Sequence, residues 1–247
     1  MKKVICLGLV SVLMSPNYYI FEDYNNINIK RPHTLSDKKI NSPRITCKTI
    51  KTSDELIEVN LKIPIIKGLD SLEIEEKLNS IFKKDIMSFK NEIEEMAKEY
   101  ADEADKFGIS KIPYNAFTDY CISYNKNNIL SIYITYYQYT GGAHGLSIRK
   151  AYNINTSNGN LLSLAGMFKD TSNYKSIINK EIQAQINKNK EMYFPDSFIG
   201  ISKNENFYLE GNYIIIFFQQ YEIAPYAAGI PEFKIPINCF KSTINFM

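Results

Sequence analysis

Histidine occurs twice in this 247-residue chain, and one of the two, His144, sits in the run Gly141-Gly142-Ala143-His144-Gly145. Three glycines around one imidazole open backbone conformations closed to other residues, and such loops often approach a ligand. A general base needs an orienting partner, however, and a metal needs at least two further ligands. No H-E-x-x-H, H-x-H or C-x-x-C run occurs. The competing reading is a turn whose imidazole hydrogen-bonds nearby backbone, and the sequence favours it. The second candidate segment is Tyr221-Glu222-Ile223-Ala224-Pro225-Tyr226-Ala227-Ala228-Gly229. Pro225 fixes its own φ and biases Ala224 towards extended geometry, so the loop is expected to be stiff. Tyr221 and Tyr226 are good contact residues because their rings bury area at little rotamer cost. Glu222 is the acid that could act beside His144 in acid/base chemistry. Tyr133, Tyr136, Tyr137 and Tyr139 crowd one hairpin, where they serve equally well as strand residues. Nucleophile-elbow, P-loop and dinucleotide motifs are absent, so an enzyme is disfavoured, and nothing calls for a metal or a cofactor.

Charge narrows the classes further. Twenty-nine basic residues against 27 acidic ones leave a net charge of +2, without the basic footprint of a nucleic-acid binder. Arg31, Arg44 and Arg149 are the whole arginine complement, which disfavours bidentate phosphate clamping. The chain starts Met1-Lys2-Lys3 and continues with an apolar run, Val4 to Met14. Those are the proportions of a signal-peptide core, too short to span a membrane as a helix. Export is therefore expected, to a secreted or surface-anchored location with N-terminal membrane association possible. The alternative is a buried N-terminal strand. Residues 15–44 are polar and Asn-rich, contain His33, and read as a tether. Removing Cys6 with a signal would leave Cys47, Cys121 and Cys239, an odd number.

The elements that must position these candidates follow from periodicity. Ile57, Val59, Leu61, Ile63 and Ile65 alternate with polar residues as in a half-buried strand, which Pro64 would limit to an edge or to the strand's end. Ser71 to Phe107 keeps one apolar face through Leu78, Ile81, Phe82, Phe89, Ile93, Met96, Ala97, Tyr100 and Ala104. The acidic group Glu92, Glu94, Glu95 and Glu99 reads as the solvated face of that helix rather than a cation site. Residues 120–124 and 129–139 form a hairpin around an Asn-rich turn, and 146–154 continue the strand pattern. A second helix carries the stripe Tyr174, Ile178, Ile182 and Ile186. Strands Tyr213 to Phe218 and Phe233 to Ile237 close the chain. The order indicates an α+β fold, an antiparallel sheet packed by two main helices.

Three segments carry a family resemblance. The run Tyr136-Tyr137-Gln138-Tyr139-Thr140-Gly141-Gly142-Ala143-His144-Gly145 resembles the junction between a domain named after a peptidoglycan deacetylase and its successor. The stretch Tyr152-Asn153-Ile154-Asn155, followed by Asn158-Gly159-Asn160-Leu161-Leu162-Ser163-Leu164 and Met167-Phe168, is similar to the start of that second domain. Tyr221 to Gly229, ahead of Phe233-Lys234-Ile235-Pro236, resembles its end. The pair, of DUF4163 plus DUF3298 type, forms the extracellular part of lysozyme-sensing anti-sigma factors and an accessory region of envelope deacetylases. Behind the signal-like segment 1–14 and the linker 15–44, the resemblance implies subdomains 45–140 and 141–247. It also implies a non-catalytic extracytoplasmic binding or sensor domain of the bacterial envelope, and the charge balance already argues against nucleic acid as a partner. The expected ligand is a lysozyme-type hydrolase or a cell-wall glycan. The binding surface would combine Gly141, Gly142 and His144 with Tyr221, Glu222, Pro225 and Tyr226. The alternative is a small envelope enzyme acting on peptidoglycan with His144 and Glu222 as acid and base. Neither a cytoplasmic segment with a spanning helix ahead of the module nor a catalytic barrel after it is expected from the sequence. The expectation is a sensor-like module standing nearly alone.

Overall fold

Residues 42–169 and 173–244 are described by the computed structural model. The signal-like segment 1–14, His33 and the tether up to residue 41 lie outside the described residues. Strand β1 (Arg44–Ser53) pairs antiparallel with β2 (Ile57–Lys67), whose Val59, Leu61 and Ile63 are buried as their alternation demands. Helix α1 (Leu72–Phe107) follows. Its N-cap Ser71 accepts the Ile74 N–H, and Gly108 closes it in the left-handed region at φ 62°. Buried Leu78, Phe82, Ile86, Ile93, Ala97, Ala101 and Ala104 form its inner stripe, whereas Met96, expected on that face, is 37% exposed.

Because α1 carries the chain back across the sheet, β3 (Tyr114–Lys126) joins β2 in parallel. Strands β4 (Ile129–Tyr139), β5 (Leu146–Asn155) and the two-residue β6 (Asn160–Leu161) complete a six-stranded sheet in sequential order. Asn127 and Asn128 both have positive φ, as a two-residue turn between twisted strands requires. The expected all-antiparallel single sheet is thus corrected in two ways: this sheet is mixed, and a second sheet exists. Pro64 is likewise not on an edge strand. It shares the alternation of Lys62 and Ile66, whose N–H groups point away from β1 to Thr118 Oγ1 and Asn79 Oδ1. Pairing between β2 and β3 ends at Leu61, so proline's missing donor falls where no strand faces it.

The second sheet is antiparallel: β7 (Phe207–Glu210), β8 (Tyr213–Phe217) and β9 (Glu232–Pro236). One of its faces shares a buried cluster with α2 (Tyr174–Ile186), in which Ile178 and Ile182 meet Leu209, Ile214, Ile216 and Ile235. Its other face, Tyr208, Ile215 and Phe217, packs with Tyr133 and Ala151 of the first sheet. The sheets are also sewn together by polar groups. Ser131 Oγ donates to Asn153 Oδ1 at 2.5 Å and accepts the Leu209 N–H at 2.9 Å, while Asn153 Nδ2 donates to the Phe207 carbonyl at 2.8 Å. Both side chains are buried, and each of these bonds satisfies a group that water cannot reach.

The opposite face of the first sheet meets α1. Phe82 lies edge-on to Tyr152 and Phe89 edge-on to Tyr136. Asp85 Oδ2 accepts from Lys150 Nζ at 2.6 Å and from the Tyr152 hydroxyl at 2.7 Å. Burial pushes the Asp85 carboxyl up, but the hydrogen bonds from Lys150 and Tyr152 and the neighbouring charges together bring it below its ordinary value. Burial also raises the Tyr136 phenol, to about 12. No helix among the described residues is long and apolar enough to cross a membrane.

Candidate functional site

β4 and β5 diverge after the pair Gln138–Leu146, leaving the glycine-rich run as the connection. Gly141 and Gly142 take φ of 92° and 94°, and the Tyr139 hydroxyl donates to the Gly142 carbonyl at 3.0 Å. Gly145 is glycine for a different reason. A Cβ there would stand 2.5 Å from the Gln138 carbonyl oxygen and from the Tyr137 ring. The turn delivers His144 to the surface with its Nδ1 3.2 Å from the Gly145 carbonyl. The backbone contact expected of that imidazole is therefore present, and the ring has further partners besides.

The second segment is held by β5's free edge. β6 pairs with Ile154 and Asn155 alone, so the strand's earlier residues lack a neighbour on that side. The Gln219 side chain supplies one: its Oε1 accepts the Arg149 N–H at 2.9 Å and its Nε2 donates to the Arg149 carbonyl at 2.7 Å. An amide can imitate a peptide group in this way, offering one donor and one acceptor to the strand. Gln220 Oε1 accepts the Ser147 N–H at 2.6 Å. Behind this clamp the Arg149 guanidinium lies 4.3 Å from the centre of the Tyr133 ring and pairs with Glu232. Burial raises the phenols of Tyr133 and Tyr208 beside it.

The clamp brings the two segments together. His144 stacks on Tyr226 with ring centroids 3.8 Å apart and planes 17° from parallel. The Tyr221 hydroxyl is 3.3 Å from His144 Nε2, and the Tyr221 and Tyr226 rings are 5.9 Å apart. Tyr221 is 48% exposed, yet its backbone takes φ 66°, an uncommon conformation for a bulky residue. Strain of that kind persists where the surroundings over-determine it. Gln219 and Gln220 anchor one side, and the Glu222 carboxylate accepts the Gln219 N–H at 2.7 Å on the other. Pro225 is exposed and precedes a single 3₁₀ turn, Tyr226–Ala228, that holds the Tyr226 ring under His144.

Of the seven candidate residues, His144, Tyr221 and Tyr226 meet directly, Gly141 and Gly142 shape the adjoining turn, and Pro225 shapes the loop. Glu222 is exposed on the other side of the 219–223 turn, where it lines a groove with Phe198 and Phe218; its carboxylate is engaged by Gln219 rather than by His144. Gln219, Gln220 and Arg149 were not anticipated from sequence. Among the described residues no cluster of three or more His, Cys, Asp or Glu side chains is placed to hold a metal. Cys47, Cys121 and Cys239 are free thiols.

Comparison with known proteins finds two family models matching successive stretches of the chain. Residues 50–147 match the family model described as Deacetylase PdaC, and residues 166–238 match that of a protein of unknown function, DUF3298. The chain carries the two regions in series. It is similar to the peptidoglycan-N-acetylmuramic acid deacetylase PdaC of Bacillus subtilis, with 21% identity over 90% of this chain and 46% of that protein. It is also similar to the anti-sigma-V factor RsiV of the same organism, with 28% identity over 81% of this chain and 70% of that protein. The chain thus spans less than half the length of the first relative and over two thirds of the second. Both relatives support the pairing of the two regions. A DUF3298-family crystal structure from Bacteroides fragilis superposes with a TM-score of 0.68 at 18% identity, covering 84% of this chain and 96% of that one. Another from Pseudomonas aeruginosa gives 0.57 at 16% identity, with 83% and 96% covered. At those identities the likeness establishes a shared α+β fold.

Proposed function

We propose that the paired module is a non-catalytic, extracytoplasmic binding or sensor domain of the bacterial cell envelope, secreted or surface-anchored, whose ligand is a lysozyme-type hydrolase. The observation that carries this reading is the exposed stack of His144 on Tyr226 with Tyr221 beside it, formed by two segments far apart in sequence. Rigid aromatic groups held in place before a partner arrives are how contact hot spots are built, because little ordering remains to oppose binding. Gly141, Gly142 and Pro225 belong to this surface as the backbone that shapes it, and Glu222 as its flank. Similarity to an anti-sigma factor over most of that protein's length supports a sensing role. Similarity to a deacetylase of peptidoglycan supports an envelope location and a second reading, in which the ligand is the cell-wall glycan. The subdomains are taken to divide at 140/141, within the turn that builds the site.

Binding is favoured over catalysis by the state of the two acid/base candidates. Both His144 nitrogens lie within hydrogen-bonding distance of partners, and the Glu222 carboxylate is committed to its own turn. The test is capture of purified lysozyme by the immobilised chain, run beside co-sedimentation with peptidoglycan and an assay for acetate and reducing ends. The reading expects saturable lysozyme capture and no turnover. Turnover that disappears with His144→Ala would establish the enzyme instead, and sedimentation without lysozyme capture would establish the glycan reading.

A further inference from the structure

The turn that presents Tyr221 to His144 on one side presents Glu222 to a groove on the other. That groove has a volume of about 600 Å³ and opens to solvent. Phe198 and Phe218, packed edge to face with centroids 5.8 Å apart, supply apolar wall, and Ile199 stands on the rim 97% exposed. Glu205 and Glu222 supply two carboxylates, and no lysine, arginine or histidine lines the groove. Neither glutamate takes part in an ion pair among the described residues, whereas Glu94, Glu210 and Glu232 each have a cationic partner. Their hydrogen bonds are to backbone N–H groups alone: Glu205 from Ser202 and Asn206, Glu222 from Gln219. A carboxylate has about four acceptor sites, so each keeps capacity for a further donor.

An occupant that complements this groove needs an apolar stem to lie along the phenyl walls and a cationic end to meet the carboxylates. Lysine and arginine side chains have that construction. We propose that the groove receives a lysine or arginine side chain of the protein partner, so that one contact surface runs from the aromatic stack, across the 219–223 turn, into a cation-accepting groove. This rests on the binding reading above and adds the charge of the partner. The segment between α2 and β7 is joined to the site loop through the Ile223 carbonyl, which accepts from the Phe194 N–H at 2.9 Å and from Ser197 Oγ at 3.1 Å. Groove and stack are therefore joined through the same loop. Long-range attraction between such a groove and a basic partner raises the association rate and falls with ionic strength.

The experiment is a backbone-amide NMR titration of the full chain with tetralysine at low salt, with tetraglutamate as control, repeated on the E205Q/E222Q double variant. Glutamine at 222 keeps a carbonyl oxygen for the Gln219 N–H, whereas glutamine at 205 keeps only one of the Ser202 and Asn206 N–H bonds that Glu205 holds with separate oxygens, so the E222Q single variant is titrated beside the double one. Tetralysine should shift the amides of Ser202, Asn206 and Glu222 in the parent, and the double variant should weaken that binding about tenfold. Shifts spread over the acidic face of α1, or unchanged in the double variant, would overturn the proposal. A lysozyme titration of the same variants separates this proposal from the parent reading. If the groove takes tetralysine but lysozyme is not captured, the partner's identity fails and the groove stands. If lysozyme is captured equally by parent and double variant with the same salt dependence, the groove fails and the binding reading stands.

Discussion

Among the contacts between the first sheet with its loops and the later part of the chain, two are built from opposite materials. Ser131 and Asn153 form a buried polar seam to β7, in which each donor and acceptor has one fixed partner. His144, Tyr221 and Tyr226 form an aromatic junction at the surface, where Tyr221 and His144 remain open to solvent. The seam sits where loss of a partner strands a desolvated polar group, the more expensive kind of loss. The junction sits where loss of a ring returns area to water at modest expense. A region assembled precisely but left exposed is what the proposed binding role requires.

Substitutions can break or sharpen that contrast. Asn153→Ala should lose the most, about 3 kcal/mol of unfolding free energy in urea, because the Ser131 hydroxyl and the Phe207 carbonyl lose partners in a dry site. A loss below about 1 kcal/mol would mean that water reaches the seam. Gly145→Ala should follow at about 2 kcal/mol, since its methyl must displace both the Tyr137 ring and the Gln138 carbonyl. The Gly142→Ala change, with open space around it but φ 94°, serves as the milder comparison. Asp85 adds a pH signature to the α1 side. Its folded-state pKa is depressed, so its contribution is fully present above the unfolded value of ~3.9 and is lost as pH falls through the folded value. Asp85→Asn should remove up to about 1 kcal/mol at neutral pH, the range of a partly solvent-screened ion pair, and flatten the acid limb of the stability profile there. The smallest effect belongs to the junction: His144→Ala should change stability by no more than about 0.5 kcal/mol, as surface substitutions usually do.

The same contrast explains what could be read in the chain. The β2 alternation, the α1 stripe and the α2 stripe were legible because burial on one face imposes a period, and Ile178 and Ile182 are fully buried as their spacing requires. β1 escaped because it is an edge strand whose Thr46, Lys48 and Lys51 leave little period to find. β7 escaped because four residues are too few to show one. The two loops of the candidate site were legible through glycine, proline and the resemblance they carry. Gln219 and Gln220 were not, because a side-chain amide standing in for a strand leaves no pattern in sequence. Nor were Ser131 and Asn153, which look like ordinary surface residues until the second sheet covers them. The parallel β2–β3 pairing follows from the crossover helix, a consequence of topology rather than of composition.

The central claim is that the aromatic junction is a contact surface, and Tyr226→Ala tests it most directly when thermal melting and lysozyme titration are run on the same sample. Tyr226 is half-buried, covered by the exposed His144 ring and absent from the buried core clusters. Its truncation should weaken capture about 30-fold, from ~1.4 kcal/mol per decade, while the melting temperature stays nearly constant. A variant that melts far lower, by the ~3–5 kcal/mol typical of a buried aromatic, and whose folded fraction binds with unchanged affinity, would contradict the account and return this loop to the scaffold.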